Sequence, residues 1–381
     1  MKSIEIVNFK NFRHLNIDNL GSVNLIVGKN NAGKSTLLEA ISVLASGANL
    51  GWIRNLFEIR GLNAKISSSV EQPELFELEN FCSLYHNRDY DKFKNVPIRI
   101  ESTDNSADGV MSNTIEIRLV DLIQVVETDE NGSEIRRKIL SDSVSDTFTI
   151  IDGEQSLGLQ ISFNGNKIIH SLGNGLMRRS YIVERNIPFE YVRTAEFTGD
   201  KNPSLFDKVA LSPLEPVLIE ALRIIDPHIT ALNFLNDESR PRMSFQREAD
   251  NRVPFVILDN SQKKYRLSTM GDGINRILTI ILSMVNCRNG ILLVDEFENG
   301  LHYSVQTALW ELICSLAKDL NIQVFATTHS QDCIKSFLKA TRDNSDSRLI
   351  RIEKRDAGDV AVIYDETDEL EYIFTNDVET R

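Results

Sequence analysis

Long apolar runs are missing from this 381-residue chain: no stretch approaches 18 consecutive apolar residues, so no transmembrane helix is expected. Cysteine is scarce. The four thiols, Cys82, Cys287, Cys314 and Cys333, form no CxxC pair, which argues against a disulfide framework or a thiolate metal site and predicts buried thiols in a reducing compartment. Positive charge is outnumbered: 42 Lys and Arg face 55 Asp and Glu, and a net charge of −13 argues against a surface coated for nucleic acid. A local basic groove stays compatible with that balance. Arg136-Arg137-Lys138, Arg178-Arg179, Arg240-Pro241-Arg242 and Lys263-Lys264-Tyr265-Arg266 are short basic clusters, each read first as a solvated turn or strand edge. There is no internal repeat and no heptad run long enough for a projecting coiled coil. The opening residues, Met1 to Ile6, read directly into a strand without a signal-peptide core, so a cytoplasmic location is expected. What remains, 41% hydrophobic and 25% charged residues, is the composition of a soluble globular chain long enough for one large domain or two ordinary ones.

The most informative stretch is Gly28-Lys29-Asn30-Asn31-Ala32-Gly33-Lys34-Ser35, followed by Thr36. Two glycines let a loop curl so that successive N–H groups point inward at β- and γ-phosphate oxygens, Lys34 adds a point charge, and the Ser35 hydroxyl can hold Mg²⁺. The flanks suit the task. Val23 to Val27 is an apolar strand, and the helix that follows, ending near Gly47, turns its N-terminal dipole toward the anion. The expectation is a bound nucleoside triphosphate.

Along the chain, Ile4–Val7, Leu15–Ile17 and Asn24–Val27 read as strands, residues 50–95 as short helices and loops. Period-2 alternation then predicts strands at 98–101, 114–119, 148–151 and 159–163, with turns at Asn131-Gly132, Asp152-Gly153 and Asn164-Gly165. This is an antiparallel sheet inserted between two halves of a nucleotide fold. Residues 204–235 read as helical up to Asp226-Pro227, and strands resume at 243–245 and 254–258. The last third alternates: helix 273–286, strand 291–295, helix 304–319, strand 322–327, helix 330–340, then a hairpin of 349–353 with 360–364 and an acidic tail. That order implies a parallel sheet covered by helices.

Gly290 to Glu296 is an apolar strand ending in two carboxylates. Asp295 is placed to orient the water shell of Mg²⁺, and Glu296 to polarise the water that attacks the γ-phosphate. Phe325 to Ser330 is a second such strand, ending in His329, whose imidazole can contact the γ-phosphate or that water. Ser268, Gly271 and Gly273 precede an amphipathic helix and read as a second anion seat, which makes sense if it caps the γ-phosphate held by another subunit. Arg193 and Glu196 sit where the chain leaves the insertion; either could reach the nucleotide or a dimer partner, and a structural ion pair is the first reading.

Taken in order, these segments resemble the ABC-type ATPase heads of the SMC and RecF superfamily. Walker A (Gly28 to Ser35), a long insertion, a signature sequence, Walker B (Ile291 to Glu296), a D-loop (Glu298 to His302) and a switch histidine (His329) follow one another. Asn8 to Arg13 resembles the N-terminal strand and loop that such heads place near the nucleotide base, which assigns Asn11 to the nucleotide. The wording of the C-terminal half looks most like compact bacterial ATPases of the overcoming-lysogenisation-defect (OLD) type. About 50 residues follow His329, too few for the Toprim nuclease domain of OLD enzymes, so the resemblance implies the motor without the nuclease. The signature is not LSGGQ, and the glutamine that follows Walker A in such heads has four candidates: Gln72, Gln124, Gln155 and Gln160.

The resemblance implies an α/β P-loop head with a mixed or parallel sheet flanked by helices, built from residues 1–47 and 262–381. An antiparallel β insertion and a small helical lobe would occupy 48–261. It implies ATP and Mg²⁺ as cofactors and a homodimer closing around ATP as a conformational clamp. The expected setting is DNA repair or phage defence, with a separately encoded effector or nuclease, possible DNA contact and no membrane. The competing expectation is a nucleotide-dependent interaction scaffold or sensor with slow turnover and no direct DNA role.

Overall fold

The computed structural model describes residues 1–59, 73–106, 109–128, 134–141, 149–172, 187–194, 201–236, 251–259, 261–342, 344–355 and 358–364. The chain opens with β1 (Ser3–Phe9) and β2 (Phe12–Ile17), then β3 (Val23–Val27), which feeds the glycine loop and α1 (Lys34–Ala45). Next come α2 (Leu50–Ile59), α3 (Pro73–Cys82), α4 (Tyr90–Asn95) and the strands β4 (Ile98–Ser106), β5 (Gly109–Thr128), β6 (Glu134–Leu140), β7 (Thr149–Phe163) and β8 (Asn166–Ser171). β9 (Phe189–Val192), α5 (Asn202–Asp207), α6 (Glu215–Arg223), β10 (Ile229–Asn236), β11 (Arg252–Leu258) and β12 (Ser261–Arg266) lead into α7 (Asp272–Asn286). The chain then alternates through β13 (Ile291–Val294), α8 (Tyr303–Asp319), β14 (Gln323–Thr327), α9 (Gln331–Ala340), β15 (Ser347–Arg355) and β16 (Gly358–Tyr364).

Two compact units result. The first comprises Met1–Asn19, Glu39–Asn186 and Lys354–Val360, the second Leu20–Leu38, Ile187–Glu353 and Ala361–Arg381. These units cut the chain at other points than the division at 47 and 262, which followed motif order. β1 and β2 pair into the sheet of β4 to β8, and β9, from the stretch read as insertion, pairs with β13.

In the first unit the described strands run β2-β1-β4-β5-β7-β8, with β6 also on β5, and the pairs are antiparallel. Asn164-Gly165 makes the predicted hairpin turn between β7 and β8. Asp152-Gly153 does not turn the chain. It lies inside β7, where the register against β5 shifts between Ile123 and Val125, so the extra residues are absorbed as a bulge while β5 runs on. Asn131-Gly132, Arg178-Arg179, Arg240 to Arg242, the strand at 243–245, Glu196, Gln72 and the acidic tail lie outside the described residues.

The second unit holds a sheet ordered β16-β15-β3-β14-β13-β9, in which the pairs β15–β3, β3–β14, β14–β13 and β13–β9 are parallel. β3 is buried at all five positions, as a strand covered on both faces must be. Its one polar residue, Asn24, is satisfied by Gly21 N–H and O and by Val324 O at 2.8–3.1 Å. β10, β11 and β12 form a separate antiparallel sheet. Within 204–235, α5 and α6 are helical and the helix ends before Asp226-Pro227 as expected; beyond that stop, 229–236 is strand β10, for which no strand was expected. A register shift between Ile229 and Ala231 breaks its alternation, which hides the strand from a period-2 reading. The core beneath the parallel sheet is anchored by Phe297 stacked on Trp310 (centroids 3.8 Å apart), itself edge-on to Phe337 at 5.0 Å. Phe297 directly follows the paired carboxylates, so the core fixes their exit from the sheet.

Burial pushes the Cys82 thiol up to about 11 and the Cys333 thiol up to about 12, which leaves both unreactive. In the first unit, burial, with a smaller contribution from Arg54, pushes His170 on β8 down to about 4, and its Nε2 is buried without a hydrogen-bond partner among the described residues. The unfolded chain therefore takes up this proton first. The folded state loses stability as pH falls from about 6.5 toward 4, and keeps it above that window. Replacing His170→Gln should flatten the drop in thermal midpoint between pH 7 and pH 5; parallel curves for the two proteins would refute this.

Candidate functional site

The glycine loop owes its shape to three left-handed residues. Gly28 (φ 147°) lies so close to Ile352 that an added Cβ would sit 2.6 Å from its carbonyl oxygen. Asn31 (φ 65°) and Gly33 (φ 106°) turn the chain again before α1 starts at Lys34. Lys29, Asn30 and Asn31 are exposed, Ala32 and Thr36 buried. Lys34 folds back over the loop, donating to Gly28 O at 2.8 Å and Lys29 O at 3.3 Å. Burial pulls its ammonium below the ordinary lysine range, against the opposing pull of Asp295, Glu296 and Glu298.

Strand order then decides which side chains meet. β14 lies between β3 and β13, so the residue ending β14 stands between the phosphate loop and the carboxylates. That residue is Thr327, 1% exposed. Its hydroxyl donates to Asp295 Oδ1 at 2.6 Å and accepts the Glu296 N–H at 2.9 Å. The Ser35 hydroxyl donates to the same Asp295 oxygen at 3.0 Å. Two segments far apart in sequence converge on a carboxylate supplied by a third.

Glu296 is half-buried and adopts φ 47°, an uncommon conformation outside glycine. Its carbonyl, with those of Asp295 and Arg193, accepts from the buried guanidinium of Arg276 on α7. His329 is 57% exposed. Its N–H donates to Glu298 Oε1 at 3.0 Å, and its Nδ1 lies 3.2 Å from the same oxygen.

The remaining assigned residues are placed differently. Ser268 lies in a 3-10 turn, Leu267–Met270, ahead of α7, and the helix is capped by Gly271 (φ 101°) without a side-chain bond. Ser268 and Gly271 are exposed; Gly273 packs so tightly that an added Cβ would meet Gly300 O at 2.8 Å. The segments expected to serve as signature and D-loop therefore adjoin within one chain. Asn11 belongs to the first unit, in the turn between β1 and β2, where the neighbouring Lys10 forms a buried ion pair with Glu39 at 2.7 Å. Of the glutamine candidates, Gln160 is buried in the first unit and accepts from Arg118 at 2.8 Å.

Thr327, Arg276 and Glu298 were not assigned roles from sequence. Thr327 carried a signal, a hydroxyl at the carboxyl end of an apolar strand, where parallel sheets gather ligand-binding groups. So did Arg276, a cation on the apolar side of a helix beside Ile274, Ile277 and Leu278, which demands buried partners.

This sheet, loop and convergent carboxylate define a P-loop ATPase head of the ABC type, with the α/β fold of SMC and RecF proteins. The profile of the family described as "AAA domain, putative AbiEii toxin, Type IV TA system" matches residues 23–332, and the chain belongs to that family. It is 25% identical over 401 residues to a Helicobacter pylori protein named ATP/GTP phosphatase, covering 99% of this chain and 98% of that one. A 47-residue segment is 45% identical to the DNA replication and repair protein RecF of Clostridioides difficile, covering 12% of this chain and 13% of that one. Among solved structures, an SMC head bound to the C-winged helix domain of ScpA superposes with a TM-score of 0.53 at 12% identity, over 97% of this chain and 99% of that chain. Among the described residues no helix is long and apolar enough to cross a membrane.

Thr327→Val should leave the Glu296 N–H and an Asp295 oxygen short of a partner and cost about 1–3 kcal/mol. Thr327→Ser should cost less. Urea unfolding of the two variants checks this; equal midpoints for valine and wild type would refute it.

Proposed function

We propose that the chain hydrolyses ATP with Glu296 as the base and closes as a homodimer around the nucleotide. The observation that carries this reading is the meeting of Ser35 and Thr327 on Asp295 Oδ1, beside a lysine whose ammonium is already aimed into the phosphate loop. The residues suit Mg²⁺: a hydroxyl and a carboxylate are hard oxygen donors. Among the described residues no group of three His, Cys, Asp or Glu could hold a metal, so a cation at Ser35 and Asp295 would draw its other ligands from phosphates and water. Bound there, it would neutralise charge on the β- and γ-phosphates.

The chain's own residues supply the rest. The backbone of Gly28 to Thr36 cradles the phosphates, Lys34 exchanges its loop carbonyls for phosphate oxygens, and Glu296 takes the proton of the attacking water. His329 contacts the γ-phosphate side, held by Glu298. The name of the Helicobacter pylori relative supports triphosphate hydrolysis and spans ATP and GTP. Ser268, Gly271 and Gly273 would cap the γ-phosphate held by a second copy. Closure around the γ-phosphate makes ATP a clamp: only the triphosphate state has the differential contact that favours the closed form.

DNA repair or phage defence with a separately encoded effector, in the cytoplasm, is the setting we propose, along with the finer likeness to OLD-type ATPases. The local RecF similarity and the family's toxin–antitoxin description support it. The solved SMC head bound to ScpA supports a partner protein.

Glu296→Gln should lower turnover by on the order of 10²-fold or more while retaining nucleotide, and should accumulate dimer with ATP. Phosphate release and light scattering read the two effects. A monomer at saturating ATP would sink the clamp, and unchanged turnover would remove Glu296 as base.

A further inference from the structure

We propose that Arg276 is a positioning residue for hydrolysis, one that sets the aim of Glu296 through the backbone; this rests on the reading of Glu296 as the base. Arg276 is 2% exposed on α7, where a cation persists only with polar partners. Its two terminal nitrogens donate to three carbonyl oxygens: Arg193 O at 2.8 Å, Asp295 O at 2.8 Å and Glu296 O at 3.1 Å. These oxygens follow the ends of β9 and β13, neighbouring parallel strands, where the ladder stops and carbonyls need new donors. A planar fork of five donors can bridge two strand ends at once; the single nitrogen of lysine cannot reproduce that spread.

Glu296 is where the consequence falls. Its φ of 47° is a conformation that a residue with a side chain keeps only when its surroundings hold it. The peptide group before its Cα donates to Thr327 and the one after it accepts from Arg276. Both are pinned, and the carboxylate direction follows from them. With the carbonyl released, the backbone can relax toward an ordinary φ and swing the carboxylate away from the attacking water. The same guanidinium sits one helical turn beyond Gly273, so α7 links the proposed signature segment to the base without any contact from Arg276 to substrate.

Steady-state hydrolysis and ATP binding are to be measured for Arg276→Lys, for Glu296→Gln and for the double variant. Arg276→Lys should lower kcat about tenfold or more, because small misplacements of a reacting group are costly. The Kd for ATP should stay within about twofold of wild type, since only the transition state uses the aimed carboxylate. In the Glu296→Gln background the lysine should cost nothing further, because a residue acting through Glu296 has nothing left to position. Multiplying effects, or wild-type kcat in Arg276→Lys, would overturn the proposal. Wild-type turnover in Glu296→Gln alone would remove the base, and with it any role in aiming it, a failure distinguishable from the first. Arg276→Gln replaces the lysine variant if that one does not purify folded. Failure of both to fold would make Arg276 a folding element and overturn the positioning role.

Discussion

One carboxylate oxygen, Asp295 Oδ1, joins the functional half of this protein. It receives a hydroxyl from the first turn of α1 and another from the end of β14, and each donor arrives from a different part of the chain. The parallel sheet makes this meeting possible by placing β14 between β3 and β13. Had β13 been the direct neighbour of β3, Thr327 would not stand between them. The phosphate loop and the acidic strand end would then meet without a tie. As built, displacement of any one of the three segments strains the other two.

The surrounding structure holds that point in place. Phe297 drives into the core against Trp310, so the chain leaving the carboxylates is fixed by aromatic packing. Arg276 closes off three carbonyls at the ends of β9 and β13. Gly273 admits Gly300 at a distance that a methyl group would forbid, bringing α7 against the loop after the carboxylates. The site is therefore supported from below by the sheet, from behind by a buried cation and from the side by backbone packing.

Much of this was legible in the residues. The glycine spacing, the apolar strands ending at Asp295 and at His329, and the alternating order of the last third are local signals of period and punctuation, and they predict the parallel sheet from β13 onward. Less legible was what depends on pairing. β10 is masked by a bulge near Ile229, and Asp152-Gly153 has the chemistry of a turn but sits opposite an unbroken strand, so the partner decides its conformation. The membership of β1 and β2 in the antiparallel sheet is likewise a property of long-range pairing and not of residues 1–19 themselves. In the site, Thr327 was visible only as part of a motif, because its role depends on the order of strands in space. Arg276 announced itself as a charge on an apolar helix side, yet nothing in the sequence names the carbonyls it reaches.

The posture of Lys34 has a thermodynamic consequence. Its ammonium donates to Gly28 O and Lys29 O, so the curl of the loop is supported by the chain's own groups. On the function proposed above, an arriving phosphate would trade places with two carbonyls and would not have to gather a disordered segment around itself. Recognition would then be a swap of acceptors on a preformed frame, with little chain entropy to surrender, and affinity would follow how much better an anionic oxygen satisfies that ammonium than a neutral one.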